Sequence, residues 1–423
     1  MIIAMFVIMF ILFLLTVPVA ISLGLASSLT VLGMHMPLGL VAQRFFSGLN
    51  SFTLLAISFF ILAGVLMESA GISKRIVDFV STLVEHYHGG LATILIISCM
   101  FFGALSGSAA ATAAAIGSIM IPSMVKRGYD VRFSAATQAS AAGLAVIIPP
   151  SISMILYCVA TNVSITNMFV AGILPGILLE VTEIMYAWHV SRKNGYAGDR
   201  EYTWSERIKS FKEAAWALLM PVIILGGIYG GFFTATEASA IAVAYAIFVG
   251  WFVYRELNWA KLVATFAEAS VLVAVIMLVL STADLFAYVL TSAQIPNQVA
   301  NWFIHIAGNK YVFMVLINIF LFIVGMFFDP GPGMIILAPI LMPAAVALGI
   351  DPVHFGIVMV INFSIGAITP PFAVNLFVSS QVAGIKYEEI VKPVLPYIAL
   401  LVVDLLVISY IPPISLLLPN LMQ

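Results

Sequence analysis

The sequence predicts an all-α polytopic membrane protein made of two inverted repeats of about five spans each. Three observations carry this. Of 423 residues, 63% are hydrophobic and only 9% are charged, where soluble domains carry about 25%; the mean hydropathy is +1.15. Apolar runs longer than ~18 residues show no period-two alternation, which favours helices over a barrel. Finally, prolines recur at one offset. Pro122, Pro149, Pro150 and Pro175 are matched 221 residues later by Pro343, Pro370, Pro371 and Pro396, and Gly128-Tyr-Asp130 by Gly349-Ile-Asp351. With proline at about one residue in twenty, four such matches have a chance of roughly 10⁻⁵.

Apolar blocks fall at 2–33, 50–70, 91–125, 132–158 and 165–189, then at 214–254, 262–290, 311–348, 353–383 and 393–418. Block 2–33 has no small-residue cleavage site and reads as one span or two, not as a removable signal. Residues 1–190 form the first repeat: scaffold 1–70, an amphipathic arm at 71–88, and the segments 91–125 and 132–158 described next. The polar linker 191–213 divides the halves. Residues 214–423 form the second repeat, with scaffold 214–290 and an arm at 295–308.

Segment 91–125 is too short for two spans and too long for one. Its centre, "FGALSGSAAATAAAIG", is built from small residues around Ser106-Gly107-Ser108. It therefore reads as a re-entrant helical hairpin with that triplet at the tip. Segment 311–348 repeats the pattern around "FFDPGPG", where helix cannot continue. The doublets in "IIPPS" and "ITPPF" interrupt the spans 132–158 and 353–383. A Pro-Pro break frees backbone carbonyls, which membrane depth tolerates only where backbone lines a cavity or ion site. Paired hairpins and broken helices are what secondary transporters use to bind substrate and ions.

Lys and Arg place the termini of these segments. The linker carries Arg192, Lys193, Arg200, Arg207, Lys209 and Lys212, and is therefore cytoplasmic. Counting spans from it puts fifteen of the seventeen basic residues inside, with Arg44 and Lys310 the exceptions. With 2–33 counted as two spans, each half has five, an odd number, which inverts one against the other.

Several ionisable groups lie at membrane depth, where they are costly and are functional candidates. Asp329, at the second tip, is read as a cation ligand or a helix cap. Asp284 and Asp404 lie in apolar runs and are either functional or paired inside the bundle. Glu180 and Glu183 share a face near a cytoplasmic end and read as interfacial structure. Glu237 is divided between scaffold hydrogen bonding and coupling. Cys99 and Cys158 read as buried, inert thiols. No Lys or Arg maps to the midplane, so an anionic substrate, were there one, would have to be held by helix N-termini, hydroxyls, amides such as Asn375 and bound sodium.

Over essentially its whole length the chain resembles the large membrane subunit of tripartite ATP-independent periplasmic (TRAP) transporters, the DctM type. The resemblance rests on "FGALSGSAAATAAAIG", "MVKRGYD", "IIPPS", "AGILPG" and "GIYGGFFTATEA", in family order and spacing. One departure is Ala235, where many relatives have proline. The resemblance implies an elevator-type fold of the ion-transporter superfamily in the bacterial inner membrane. It also implies sodium-driven import of an organic acid, with overall likeness leaning to sialic acid over C4-dicarboxylates. A periplasmic binding protein would deliver the substrate, and a separate small four-helix membrane subunit would complete the complex. Substrate positions are then Ser108, Ala109, Thr112, Ser151, Gly333 and Asn375. Sodium positions are Ser106, Gly107, Gly143, Ile147, Pro149, Asp329, Gly331, Gly366, Thr369 and Pro370.

Other classes fit less well. A net charge of −2 gives no basic surface for nucleic acid. An intramembrane enzyme would need a nucleophile beside a base, yet all six histidines map to ends or loops. A passive channel does not need paired broken helices. A symporter working without a binding protein is the remaining alternative.

Overall fold

The computed structural model describes residues 1–196, 198 and 200–422, and among these the regular structure is entirely helical. The first half contains α1 (Ile2–Leu14), α2 (Val19–Gly33), α3 (Gly39–Leu49), α4 (Leu54–Ser69), α5 (Ile72–Val84), α6 (Gly90–Ser106), α7 (Ala109–Lys126), α8 (Val131–Leu144), α9 (Ile152–Thr161) and α10 (Ile165–Lys193). The second contains α11 (Trp204–Tyr229), α12 (Ala235–Phe248) with a π-helical extension, α13 (Trp259–Ser292), α14 (Ile295–Ala307), α15 (Lys310–Gly325), α16 (Pro330–Ala347), α17 (Pro352–Gly366), α18 (Val374–Ala383), α19 (Tyr387–Tyr410) and α20 (Pro413–Leu421). Among the described residues, seven helices are long and apolar enough to cross a membrane, or up to nine if two bent pairs each count as one span.

Helix boundaries follow local chemistry. Pro18 stops α1 from continuing, and α2 folds back until Gly33 meets the Met1 side chain. Segment 2–33 is thus two short helices. Gly107, at φ 61°, ends α6, and the Ser108 hydroxyl caps α7 by accepting from Ala111 N. Asp329 does the same for α16 through Gly331 N. Both Pro-Pro pairs lie in non-helical breaks, between α8 and α9 and between α17 and α18, and both peptide bonds are cis.

Some expected elements differ. Residues 39–49, outside the expected blocks, form α3, which meets α4 at a 56° bend. Its counterpart in the second half is part of the single long α13. Pro412 and Pro413 divide block 393–418 into α19 and α20. The linker is helical at both ends, leaving 194–203 between α10 and α11.

Two bodies emerge from the packing. Helices α2 and α3 lie along α13, α4 packs on α12 and α13, and α11 packs on α5 and α12. In the other body α18 packs on α7 and α8, α16 on α9, α19 on α8, and α20 on α10. The bodies touch where α4 meets α6 and where α13 meets α16. At the first contact a Cβ on Gly64 would lie 2.9 Å from Ser106 Cα, so the missing side chain lets the backbones approach.

Two of the charged candidates lie outside the second body and are accounted for locally. Asp284 lies 4.0 Å from Arg44, whose guanidinium covers the Tyr288 ring. Glu237 accepts from Thr234 N and Oγ1, both at 2.8 Å, in a capping box that starts α12. Ala235 follows at the first helical position, where proline costs no hydrogen bond and its fixed φ suits the helix. Ala235→Pro is expected to stabilise the protein by about 0.4–1 kcal/mol, read as a higher melting temperature.

Candidate functional site

The breaks in four chain segments meet at one cavity of about 250 Å³. Its walls come from both hairpin tips (Gly107–Ala110 and Asp329–Pro332), both broken helices (Gly143, Val146, Ile152, Ser153, Leu156; Ser364, Ala367, Val374, Asn375), Ile335, and α13 through Val275, Ile276 and Val279.

The first residues of α7, α9, α16 and α18 all line this cavity. A helix N-terminus leaves backbone N–H groups unpaired and carries about half a positive charge. Four of them at one place make an anion-attracting site. Asn375 adds a donor. It is 2% exposed, and its Nδ2 makes no hydrogen bond among the described residues. Across the cavity wall, a Cβ on Gly143 would lie 3.4 Å from that nitrogen, so the glycine leaves the amide room. The lining contains no Lys or Arg, and its one ionisable group is Asp329, accessible from the cavity.

Oxygen donors gather at the first tip. Thr112 Oγ1 donates to the Ser108 carbonyl at 2.8 Å and lies 3.1 Å from Ser106 Oγ, which accepts from Ser108 N at 3.3 Å. A Cβ on Gly107 would come within 3.2 Å of the Pro150 carbonyl oxygen, so this tip rests on the Pro-Pro break. Hydroxyls and carbonyls at broken helices are the donor set sodium uses. No group of three or more His, Cys, Asp or Glu suited to a metal ion occurs among the described residues. Any cation here would depend on neutral oxygens and Asp329.

Of the positions read from the sequence, Gly107, Ser108, Ala109, Gly143, Asp329, Gly331 and Asn375 line the cavity. The others lie behind it. Ser106 and Thr112 brace the first tip from inside. Ser151 is buried and caps α9 by accepting from Met154 N. Ile147 is buried with its carbonyl against Gly172, Pro149 is buried beside it, and Pro370 is half-buried in the equivalent break. Thr369 donates to the Ile365 carbonyl at 2.6 Å, and Gly333 leaves room for the Phe363 ring. Gly366 packs on Gly325 so closely that a Cβ would lie 2.4 Å from the Gly325 carbonyl carbon. Backbone on both sides cannot yield, so Gly366→Ala is expected to destabilise the protein by about 1–3 kcal/mol, seen as a lower melting temperature.

Ser153, Ser364, Ala110, Val146, Ala367, Val374 and the α13 side chains are lining residues that the sequence reading missed. The repeat offset held a signal for many of them. Gly143 pairs with Ser364, Ala110 with Gly331, Val146 with Ala367, and Ser153 with Val374 at the same spacing of 221 that relates the prolines. Asp284 and Glu237, flagged by charge alone, take no part in the cavity.

Comparison with known proteins agrees with this architecture. The chain is 42% identical over 401 residues to the C4-dicarboxylate TRAP transporter large permease protein DctM of Pseudomonas aeruginosa, covering 94% of each. It is 37% identical over 380 residues to the sialic acid TRAP transporter large permease protein SiaM of Vibrio cholerae, covering 90% of this chain and 89% of that one. The sialic acid type is therefore not singled out. Among solved structures, that of the Alcanivorax borkumensis YdaH transporter superposes with a TM-score of 0.64 at 14% identity, covering 87% of this chain and 86% of that chain, a likeness of fold. The model of the tripartite ATP-independent periplasmic transporter DctM component matches residues 6–414, and the chain belongs to that family: it is a TRAP transporter large permease, a multi-pass protein of the inner membrane.

Proposed function

We propose that the chain is the transport subunit of a sodium-coupled importer of an organic acid anion, and that the cavity is where anion and sodium bind together. The observation that carries this is the convergence of four helix N-termini and the Asn375 amide on a cavity whose only ionisable group is Asp329. The N-termini attract the anion, while Asp329 repels it until a cation is present. Sodium at the tip oxygens and Asp329 would remove that repulsion, so the anion binds well only after the cation.

The N-termini fall in pairs, α7 with α9 and α16 with α18, one pair from each half of the chain. Such an arrangement suits a substrate with an anionic group at each end, and we favour a C4-dicarboxylate over sialic acid. The halves share helix order at the 221 offset, consistent with inverted repeats around this site. The two-body packing suits an elevator, in which α6–α10 and α15–α20 carry the cavity past the body built on α11–α13. A periplasmic binding protein and a small membrane subunit complete the assembly.

The test is uptake of labelled succinate and sialic acid by proteoliposomes holding this chain with its small subunit, with and without binding protein and an inward sodium gradient. Uptake that requires both supports the proposal. Uptake with sodium but without binding protein would instead make the chain a stand-alone symporter.

A further inference from the structure

Away from the cavity, in the body that carries it, three carboxyl groups gather without a cation. Glu180 and Glu183 lie one turn apart on α10, and Asp404 lies on α19, which packs on α10 and brings its charge within reach of Glu183. They are 2%, 1% and 8% exposed, so the interfacial placement expected for the two glutamates does not hold. These residues are interior because α10 is sheathed by α6, α8, α17, α19 and α20. No Lys, Arg or His forms an ion pair with any of the three among the described residues.

Donors are scarce. Ser140 of α8 donates to Glu183 Oε1, and Thr182 is the hydroxyl side chain nearest to Asp404's carboxyl from α10. Both oxygens of Glu180, Glu183 Oε2 and Asp404 Oδ2 have no partner among the described residues. An independent group points the same way. Gln138 of α8 is wholly buried, and its Nε2 donates to Cys99 Sγ and to the Thr112 carbonyl, each at 3.4 Å. Cys99 lies on α6, which packs on α10 where Glu180 sits, and Gln138 Oε1 also has no donor among the described residues. The remaining titratable neighbours do not fill the gap. The Tyr397 hydroxyl pairs with Thr137 at 2.7 Å, its ring packs edge-on against Tyr186, and His354 on α17 turns to Ser415 and the Ser409 carbonyl.

A buried carboxylate without a partner is costly, and like charges side by side compound the cost. Protonation answers both problems, because it removes a charge and turns an acceptor-only group into a donor. We propose that Glu180, Glu183 and Asp404 form a proton-binding site that holds at least one proton between them. On the same helix as Ser140, which donates to Glu183, Gln138 bonds the Thr112 carbonyl, and the Thr112 hydroxyl bonds the Ser108 carbonyl at the first tip.

Infrared spectroscopy of the full chain in lipid nanodiscs, at neutral pH in potassium and then in sodium buffer, tests this. Expected is a protonated-carboxyl carbonyl band that survives exchange of potassium for sodium and weakens in Glu180→Gln or Glu183→Gln. The wild-type spectrum alone can overturn the proposal, by showing no such band, so the result does not depend on a variant folding. A band unchanged in Glu180→Gln, Glu183→Gln and Asp404→Asn alike would also overturn it. A band erased by sodium would mean that the cluster takes that cation instead.

Discussion

Replacing Asn375 with alanine is expected to weaken substrate binding ~10- to 150-fold, with the fold and the sodium dependence retained. A hydrogen bond to a charged group contributes about 1.5–3 kcal/mol, and each 1.4 kcal/mol or so is tenfold in affinity. Asn375 is suited to that role because it lines the cavity and its Nδ2 has no hydrogen-bond partner among the described residues. The substitution leaves little protein structure to lose, since α18 has no side-chain cap and takes its start from the break at Ala373. The check is the half-saturating substrate concentration for uptake beside the melting temperature. A large fall in melting temperature with unchanged affinity would make Asn375 a structural residue.

Asp329→Asn is expected to uncouple anion binding from sodium. Asparagine caps a helix about as well as aspartate, so α16 should begin where it does now. Only the charge is lost. At about 6 Å and an effective dielectric near 20, Asp329 repels a substrate carboxylate by roughly 2.8 kcal/mol, or ~100-fold in affinity. Without that repulsion the anion should bind comparably in sodium and potassium. Uptake driven by a sodium gradient should fall, because the cation has lost its one charged ligand. A variant that binds substrate only in sodium, as the parent does, would show that Asp329 is a helix cap and nothing more.

The architecture was legible where the sequence departs from ordinary helix. Gly107-Ser108 and Asp329-Pro330 cannot sit in helix interiors, and the proline doublets cannot either, so the breaks between α6 and α7, α15 and α16, α8 and α9, and α17 and α18 were readable. The fold-back at Pro18 and the separation of α20 at Pro412-Pro413 carried a proline mark that was left open or missed, and the bend between α3 and α4, which both lie along α13, was missed. In the site, tip residues were found because they are chemically unusual for a membrane segment. Val275, Ile276 and Val279 were not, because an apolar residue on a long apolar helix carries no mark of which face meets a cavity. Thr112 and Gly366 illustrate the opposite error: both belong to the tips and breaks, yet tertiary contacts turn them inward, toward Ser106 and Gly325. Charge was the weakest guide. Glu180 and Glu183 looked interfacial because their helix ends at Arg192 and Lys193, but helices from both halves enclose them.

The central claim is that an anion enters a cavity lacking basic side chains only when sodium accompanies it. Calorimetric titration of succinate into the purified complex, in sodium buffer and in potassium buffer of equal ionic strength, tests it most directly. Saturable binding in sodium that is lost in potassium is the predicted result. Equal affinity in both would contradict the account, since the four helix N-termini and Asn375 would then hold the anion without a cation.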